Sequence, residues 1–275
     1  MIYSERITTM QSSPIRKLAH IASSAKAKGI KIYHLNIGQP DIKTPKVFFE
    51  AVKNFNNEVL EYAVSPGLPE LISSLQQYYT TYNMDFESDE ILVTNGGSEA
   101  LLFALMATCD PKDNILVPEP FYSNYNGFSQ SINVNITPIT TKAEEGFHLP
   151  SKEKIQSLIT SKTKAILISN PGNPTGTVYT KKELYMISEI AKENDLWIIS
   201  DEVYREFVYD GLEYTSFGNI KEVEDRVIII DSVSKRYSAC GARIGSIASK
   251  DKTLIAEILK SVSYTHLRAH ETLRH

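Results

Sequence analysis

Short apolar runs that alternate with helical patterns constrain most strongly what this chain can fold into. Such runs occupy residues 91–94, 115–118, 165–169, 196–200 and 227–230, and each is rich in isoleucine, leucine or valine. Amphipathic or apolar stretches suited to helices lie among them, at residues 101–108, 151–159 and 181–194. Short buried strands that alternate with helices are typical of an α/β fold with a mainly parallel sheet.

The amino-terminal part of the chain carries further helical patterns. They cover residues 14–28, 45–55 and 71–82, and the first has Ser13 as N-cap and Gly29 as stop signal. Between the first two, an extended run at 32–37 leads into the turn Gly38-Gln39-Pro40-Asp41. Glycine in such a turn lets the backbone approach a ligand closely.

Composition excludes several classes of function. Hydrophobic residues make up 42% of the 275 residues, and the net charge is −4 with acids and bases interspersed. We therefore expect a large core and no nucleic-acid partner. No apolar run reaches the length of a membrane span and the amino terminus lacks a signal-peptide pattern, so we expect a cytoplasmic protein without membrane contact. Cys109 and Cys240 show no metal-ligand spacing, so we expect free thiols and no metal.

The polar cluster at residues 231–245 is the main candidate for chemistry. It follows the apolar run 227–230, so it lies at the end of a strand; Ser232 and Ser234 flank Lys235, and Arg243 follows. A lysine among small polar groups can act as an amine nucleophile, and an arginine with hydroxyls can hold a phosphate. The pattern suits a lysine that forms a Schiff base with pyridoxal phosphate. A solvated lysine in a serine-rich loop is the alternative.

Other polar clusters also follow predicted strands. Gly97 and Ser98 lie between a strand and a helix, where backbone N–H groups can bind an anion, or where a tight turn alone is needed. Asp201 follows an apolar run, so we expect a partly buried carboxylate that needs a cation, or a helix N-cap. Residues 170–176 contain two Asn-Pro pairs and predict a rigid loop. Because ligands bind beyond the carboxyl ends of parallel strands, we expect these clusters to meet at one site.

Several of these motifs, in this order, resemble those of one family. They are Asn-Ile-Gly-Gln-Pro-Asp at 36–41, Asn-Gly-Gly-Ser-Glu-Ala at 95–100, Asn-Pro-Gly-Asn-Pro-Thr-Gly at 170–176, Ser-Asp-Glu-Val-Tyr at 200–204, and Ser-Val-Ser-Lys at 232–235 with Arg243. From about Pro14 to Val262 the chain resembles the class I/II aminotransferases, the aspartate-aminotransferase-like enzymes of fold type I that use pyridoxal phosphate. The resemblance implies a three-layer α/β/α large domain with a mainly parallel sheet and an incomplete small domain.

The resemblance also implies roles for individual residues. Lys235 would hold pyridoxal phosphate as a Schiff base and then move the substrate proton, and Asp201 would pair with the pyridine nitrogen. The other implied contacts are Asn173 and Tyr204 at the phenolic oxygen, Tyr122 stacked on the ring, Gly97, Ser98, Ser232, Ser234 and Arg243 at the phosphate, Tyr62 at the phosphate of a neighbouring subunit, and Gly38 and Asn173 at the substrate.

The activity implied is transfer of an amino group from an L-amino acid to a 2-oxo acid, in a homodimer with shared active sites. Two alternatives remain open at this stage. A β-eliminating lyase uses the same fold and cofactor, and a cofactor-sensing domain of a transcriptional regulator shares the fold. The regulator is disfavoured because only a short helix precedes the Gly38 turn and no basic excess is present. The sequence leaves open whether the amino-group donor is aspartate, an aromatic amino acid or an alanine-type amino acid.

The carboxyl end departs from the family pattern. We expect residues 1–42 to form an amino-terminal arm and small-domain segment, 43–262 the cofactor-binding large domain, and 263–275 a non-family tail that resembles translated vector sequence. The predicted helix 251–260 ends before that tail. Family members continue further and there carry the arginine that binds the substrate α-carboxylate. His266 and His270 have metal-ligand spacing, but we expect them to belong to the artefactual tail.

Overall fold

The central feature of the fold is one sheet of seven strands, in the order β1-β7-β6-β5-β4-β2-β3. The computed structural model describes residues 3–11, 17–36, 38–59 and 61–265. The strands are β1 (Ile91–Thr94), β2 (Asn114–Glu119), β3 (Asn135–Thr140), β4 (Thr163–Ser169), β5 (Trp197–Asp201), β6 (Val227–Ser232) and β7 (Gly245–Ala248).

Strand directions confirm the mainly parallel sheet. The pairs β2–β3, β2–β4, β4–β5 and β5–β6 are parallel, and β7 runs antiparallel to both β1 and β6. The carboxyl ends of β1, β2, β4, β5 and β6 therefore lie at one edge of the sheet, and that edge carries the predicted polar clusters.

Helices cover the sheet and precede it. They are α1 (Glu5–Thr9), α2 (Ala19–Ala27), α3 (Lys46–Lys53), α4 (Pro69–Thr80), α5 (Gly97–Thr108), α6 (Asn124–Ser131), α7 (Lys152–Gln156), α8 (Lys181–Glu193), α9 (Val233–Arg236) and α10 (Lys252–Thr265). Thr180 caps α8 through a reciprocal pair of bonds with Glu183, and Pro69 at the first position starts α4.

The sheet separates two apolar cores, as the three-layer architecture requires. Alternate residues of β6 show this: Ile229 packs in one core with α4, α7 and α8, whereas Ile228 and Ile230 pack in the other with α5 and α10. Side chains of a strand point alternately to its two faces, so a strand buried on both sides must be apolar throughout. All three isoleucines have no solvent-exposed surface.

The structure corrects several predicted boundaries. β7 was not predicted, because its Gly-Ser-Ile-Ala sequence is too short and too small to show a strand pattern. The helix expected to end at residue 260 continues to Thr265, where Leu254, Ile258 and Val262 keep an apolar face buried. The extended run expected at residues 32–37 joins no sheet over its described part, residues 32–36. Part of the predicted helix 14–28, and His266 and His270, lie outside the described residues, and the division into three segments stays a prediction.

The amino-terminal helices leave apolar surface exposed. Among the described residues of α1, α2 and α3, none is buried. On α3, the side chains of Val47, Phe49 and Val52 remain 60–68% exposed. A group of exposed large apolar side chains is typical of a surface that packs against another polypeptide segment. Within the described ranges, no helix is both long and apolar enough to span a membrane.

The tightest junction in the sheet is the start of β7. Gly245 is paired with Thr94 of β1 on one side and with Ser232 of β6 on the other. A Cβ atom at this position would overlap the backbone of Gly96 and lie 2.6 Å from the amide nitrogen of Gly97. Backbone atoms cannot move aside as a flexible side chain can, so only glycine fits here.

We predict opposite effects for two glycine substitutions. Gly245→Ala should lower the free energy of unfolding by about 1–3 kcal/mol or more, because the methyl group forces β1 and β7 apart. Gly127→Ala, in the middle of α6 with nothing within 4 Å of the added Cβ, should raise it by about 0.5–1 kcal/mol. Urea unfolding midpoints measure both; a neutral Gly245→Ala variant would contradict the close backbone approach.

Candidate active site

The predicted polar clusters meet in one cleft at the carboxyl edge of the parallel strands. The cleft has a volume of about 850 Å³. Every predicted site residue except Tyr62 lines it: Gly38, Gly97, Ser98, Tyr122, Asn173, Asp201, Tyr204, Ser232, Ser234, Lys235 and Arg243. Tyr62 lies elsewhere, and its side chain is 65% exposed. These residues come from separate loops and strand ends, so the sheet itself brings them together.

Lys235 projects into the cleft from the short helix α9, directly after β6. Its Nζ donates a hydrogen bond to the carbonyl oxygen of Gly38 at 2.7 Å and lies 5.8 Å from the centre of the Tyr204 ring. The amine therefore joins the predicted Gly38 turn to the opposite wall of the cleft. A half-buried lysine whose Nζ has one hydrogen-bond acceptor among the described residues remains accessible as a nucleophile.

Ser232 and Ser234 shape the turn that carries this lysine. The Ser232 hydroxyl accepts a hydrogen bond from the Ser234 amide at 3.1 Å and so caps α9, and the two hydroxyl oxygens are 2.7 Å apart. Both residues are buried. The serines thus have a structural use in the turn and also present hydroxyls to the cleft.

Arg243 approaches the start of α5 from the other side. It adopts a left-handed backbone conformation, with φ of 55°, and its guanidinium donates to the carbonyls of Asn95 and Cys240 at 3.3 and 3.2 Å. Gly96, with φ of 77°, leaves room for this guanidinium, since a Cβ there would overlap it. The first N–H groups of α5, at Gly97 and Ser98, have no carbonyl partner within the helix and lie beside a cation. This corner can bind a phosphate.

Asp201 ends β5 and is buried at the base of the cleft. Its two carboxylate oxygens accept hydrogen bonds from the Tyr125 hydroxyl at 2.6 Å and from the Val203 amide at 3.3 Å. Burial raises the pKa of Asp201 to about 6, while these two hydrogen bonds act in the opposite direction. Near neutral pH the group is mainly a carboxylate, and a cationic ligand in the cleft can pair with it.

Tyr125 is a site residue that sequence reasoning missed. It lies on α6, is almost fully buried, and burial next to Asp201 raises its hydroxyl pKa well above the ordinary value. The hydroxyl therefore stays protonated and acts as a donor. The available signal was its place three residues after Tyr122: the Tyr125 amide donates to the Tyr122 carbonyl at 2.9 Å, which keeps both residues at the same wall of the cleft.

Aromatic side chains form the rest of the wall. The Tyr122 hydroxyl accepts a hydrogen bond from the Asn124 amide at 2.6 Å, and its ring contacts Tyr125 edge to face at 5.5 Å between centroids. On the other side, burial and the nearby Asp201 carboxylate raise the pKa of Tyr204 to about 12. The Tyr204 hydroxyl therefore remains a neutral donor near pH 7.

The loop at residues 170–176 presents Asn173 because its first residue is held on both sides. The Asn170 side chain accepts a hydrogen bond from the Tyr179 amide at 3.0 Å and donates to the Thr215 carbonyl at 3.1 Å. Gly172 and Thr177 close the loop with a backbone hydrogen bond of 2.8 Å. The predicted rigid loop is thus anchored to the body of the fold. Within the described part of the chain, no cluster of three or more His, Cys, Asp or Glu side chains could hold a metal ion.

Comparison with known proteins gives a consistent family. The sequence profile described as "Aminotransferase class I and II" matches residues 30–267. A probable aspartate aminotransferase of Methanocaldococcus jannaschii is 35% identical over 95% of this chain and 68% of its own length. An asparagine–oxo-acid transaminase of Streptococcus mutans is 33% identical over 95% of the chain and 67% of its own length. The chain therefore spans about two thirds of these relatives.

Solved structures agree with the sequence comparison. The crystal structure of an aspartate aminotransferase from Thermotoga maritima superposes with a TM-score of 0.89 at 33% identity, over 96% of this chain and 70% of that one. Its similarity extends over the sheet and the cleft together, since nearly the whole described chain is covered.

The raised pKa of Asp201 predicts a pH-dependent stability. Because its pKa is about 6 when folded and 3.8 ordinarily, the folded chain loses stability as the pH rises through about 6. Asp201→Asn removes this loss. Without cofactor, the free energy of unfolding of the variant, relative to that of the wild type, should therefore rise by up to about 3 kcal/mol between pH 4 and pH 8. Unfolding by urea across that range measures it. The exposed substitution Asp225→Asn is the control, and parallel curves for Asp201→Asn and wild type would contradict the shift.

The Tyr125–Asp201 hydrogen bond predicts coupled substitutions. A charge-assisted hydrogen bond is worth about 1.5–3 kcal/mol, so Tyr125→Phe should cost that much at about pH 8, where Asp201 is ionised. In an Asp201→Asn background the same substitution should cost clearly less. A double-mutant cycle of unfolding free energies gives the coupling, and additive effects would show that the bond does not stabilise the carboxylate.

Proposed function

The chain belongs to the class I and II aminotransferases, and on that premise we propose that its cleft binds pyridoxal phosphate and transfers an amino group from an L-amino acid to a 2-oxo acid. Enzymes of this family use pyridoxal phosphate. The observation that carries the proposal is the presence of an amine, a buried carboxylate and an anion-binding corner in one cleft, supplied by Lys235, Asp201 and Arg243.

The residues present fit the chemistry of that cofactor. Its phosphate matches the corner where Arg243, two hydroxyls and the start of α5 converge. Its aldehyde matches the Lys235 amine, and its basic ring nitrogen matches the buried carboxylate of Asp201, whose hydrogen-bond partners among the described residues include no cation. A cleft of about 850 Å³ also has space for a substrate beside it.

Individual residues take the following places in the proposal. Lys235 would hold the cofactor covalently and Asp201 would pair with its ring nitrogen, while the Tyr125 hydroxyl donates to Asp201 and favours its ionised form. The remaining contacts are Tyr204 and Asn173 at the ring oxygen, Tyr122 on the ring face, and Gly97, Ser98, Ser232, Ser234 and Arg243 at the phosphate.

When bound, pyridoxal phosphate supplies an electron sink that weakens the Cα–H bond of the amino acid. The chain's own residues then position and move the proton. The Lys235 amine, placed at the cleft, would act as the general base that takes the proton from the substrate Cα and later gives it back. The Gly38 backbone, whose carbonyl accepts a hydrogen bond from Lys235, would lie beside the substrate. Asn173 and Tyr204 would donate hydrogen bonds to the ring oxygen of the cofactor.

We extend the proposal to a homodimer with shared sites, located in the cytoplasm. Tyr62 is exposed and outside the cleft, as expected for a residue that reaches the phosphate of a neighbouring subunit. The exposed apolar side chains of α3 supply a surface for such contact. Both cysteines are free thiols, which suits a reducing compartment. The names of the relatives include both aspartate and asparagine transaminases, and we leave the amino-acid donor open.

The proposal predicts where the cofactor attaches. After incubation with pyridoxal phosphate and reduction with borohydride, peptide mass spectrometry should find one adduct, on Lys235. Lys235→Ala should abolish it, whereas Lys162→Ala, at an exposed lysine outside the cleft, should leave it unchanged. Adducts scattered over surface lysines at the same level in the Lys235→Ala variant would refute the cofactor site.

A kinetic measurement distinguishes amino-group transfer from β-elimination. If the chain transfers amino groups, formation of the first keto acid should stop after one turnover unless a 2-oxo acid acceptor is present. Continued release of ammonia and keto acid without an acceptor would instead establish the β-eliminating chemistry.

A further inference from the structure

Behind the cleft lies a cluster of four buried charged side chains that the proposed reaction does not use. Glu202, Arg205, Asp231 and Arg236 make up this quartet, and at most 5% of any of these side chains is exposed. Their formal charges sum to zero. Burying ions is costly unless each is paired, so a cluster of this size at one place in the fold requires an explanation.

Arg205 joins the ends of β5 and β6. Its Nη2 donates to the Glu202 carboxylate at 2.7 Å, and its Nη1 donates to the Asp231 carboxylate at 3.2 Å. Glu202 directly follows β5, and Asp231 lies in β6. The guanidinium therefore fixes the distance between two neighbouring strand ends with planar, directional bonds.

Arg236 ties the lysine-bearing helix α9 to the same carboxylate. Its Nη1 lies 2.8 Å from both carboxylate oxygens of Asp231, and its guanidinium packs 3.9 Å from the centre of the Tyr78 ring. Asp231 also accepts a bond of 2.6 Å from the Ser232 amide. One carboxylate thus holds both ends of the turn on which Lys235 stands.

The surroundings of the quartet leave it little freedom. Glu202 accepts further hydrogen bonds from Ser200, Tyr214 and Ser216, at 2.5–2.9 Å. The rings of Tyr78, Tyr79 and Tyr82 lie 5.2–5.4 Å from the Arg205 guanidinium. Within the described chain, the Nε of Arg236 is the only quartet side-chain N or O atom that is buried without a hydrogen bond. A nearly satisfied network of this kind holds a single arrangement.

Each member of the quartet is the chain neighbour of a cleft residue. The pairs are Asp201–Glu202, Tyr204–Arg205, Asp231–Ser232 and Lys235–Arg236. One residue of each pair lines the cleft and the other joins the quartet. Moving any quartet side chain would therefore move the backbone of a residue proposed to contact the cofactor.

We propose that Arg236 and Arg205 are positioning residues, which hold Lys235, Ser232, Asp201 and Tyr204 in the arrangement that receives the cofactor. The inference rests on the proposed function, since it concerns the same cleft. It assigns no contact with substrate or cofactor to either arginine. Arg236 acts on the lysine turn through Asp231, and Arg205 acts on the end of β5 through Glu202.

The test compares cofactor binding in variants of the full chain. Arg236→Gln should raise the Kd for pyridoxal phosphate at least about tenfold and reduce the visible circular dichroism of the bound cofactor, because supporting residues of this kind typically contribute 10–100-fold. Arg236→Lys, which keeps a cation beside Asp231, should recover most of the affinity. Far-ultraviolet circular dichroism confirms that each variant is folded.

Two controls separate positioning from general stability. Arg226→Gln removes an arginine from ion pairs with exposed carboxylates and should leave Kd and the dichroic band unchanged. Ile187→Val lowers stability from within the core under α8 and should also leave both unchanged. If Arg236→Gln does not fold, Asp231→Asn/Arg236→Gln removes both charges together and should show the same loss of affinity.

The outcomes distinguish this inference from the proposed function. Absence of a Lys235 adduct in the wild type would overturn the proposed function and the inference with it. A wild-type adduct together with an unchanged Kd and dichroic band in folded Arg236→Gln or in the double variant would overturn the inference alone. An equal loss of affinity in Ile187→Val would also overturn it, because the effect would then be one of stability.

Discussion

The backbone contact between Gly245 and the Gly96–Gly97 turn is the constraint on which the cleft depends. Gly245 pairs with Thr94 and Ser232 at once, so the antiparallel strand β7 sets the separation of β1 and β6 at the edge where both carry functional loops. On one side of this junction begins α5, with its open N–H groups, and on the other begins the lysine turn. The corner proposed to bind phosphate and the proposed nucleophile are held together by hydrogen bonds within the sheet rather than by loop contacts.

A second layer of charge lies directly behind this edge. In each of four short segments, one residue faces the cleft and its chain neighbour belongs to the quartet. The same segments therefore contribute to the cleft and to the charged cluster behind it. The cleft can therefore keep groups that lack strong partners, such as the Lys235 amine with its single carbonyl contact, because their backbone is fixed from behind. Asp201 is a second such group, since burial at the end of β5 raises the pKa of its carboxyl to about 6.

Much of the sheet and most of the cleft could be predicted from sequence, for a definite physical reason. Fully buried parallel strands such as β4 and β6 must be apolar throughout, and a polar residue directly after them must lie at the edge where ligands bind. This reasoning located Asp201 and Lys235 without any knowledge of contacts. Family resemblance added Tyr122, Asn173 and the others by motif.

The parts that were missed depend on contacts distant in sequence. β7 is a strand only because β1 and β6 flank it, and its small residues carry no pattern of their own. Tyr125 becomes part of the site through a hydrogen bond to a residue 76 positions away. In the quartet, Asp231 and Arg236 could be taken from sequence for surface charges, since charged residues are ordinarily exposed. Their burial depends on contacts that no local pattern shows, such as the packing of the Arg236 guanidinium against the Tyr78 ring of α4.

The two thiols of this chain differ in a way that makes the cleft accessible to direct observation. Cys109 is buried behind α5, and burial raises its pKa to about 11, which leaves little reactive thiolate. Cys240 lines the cleft, and its Sγ is 3.2 Å from the Ser234 carbonyl. A thiol-specific fluorophore should therefore select Cys240. The unaltered sequence thus carries an attachment point for a reporter beside Lys235, and no cysteine has to be removed or introduced.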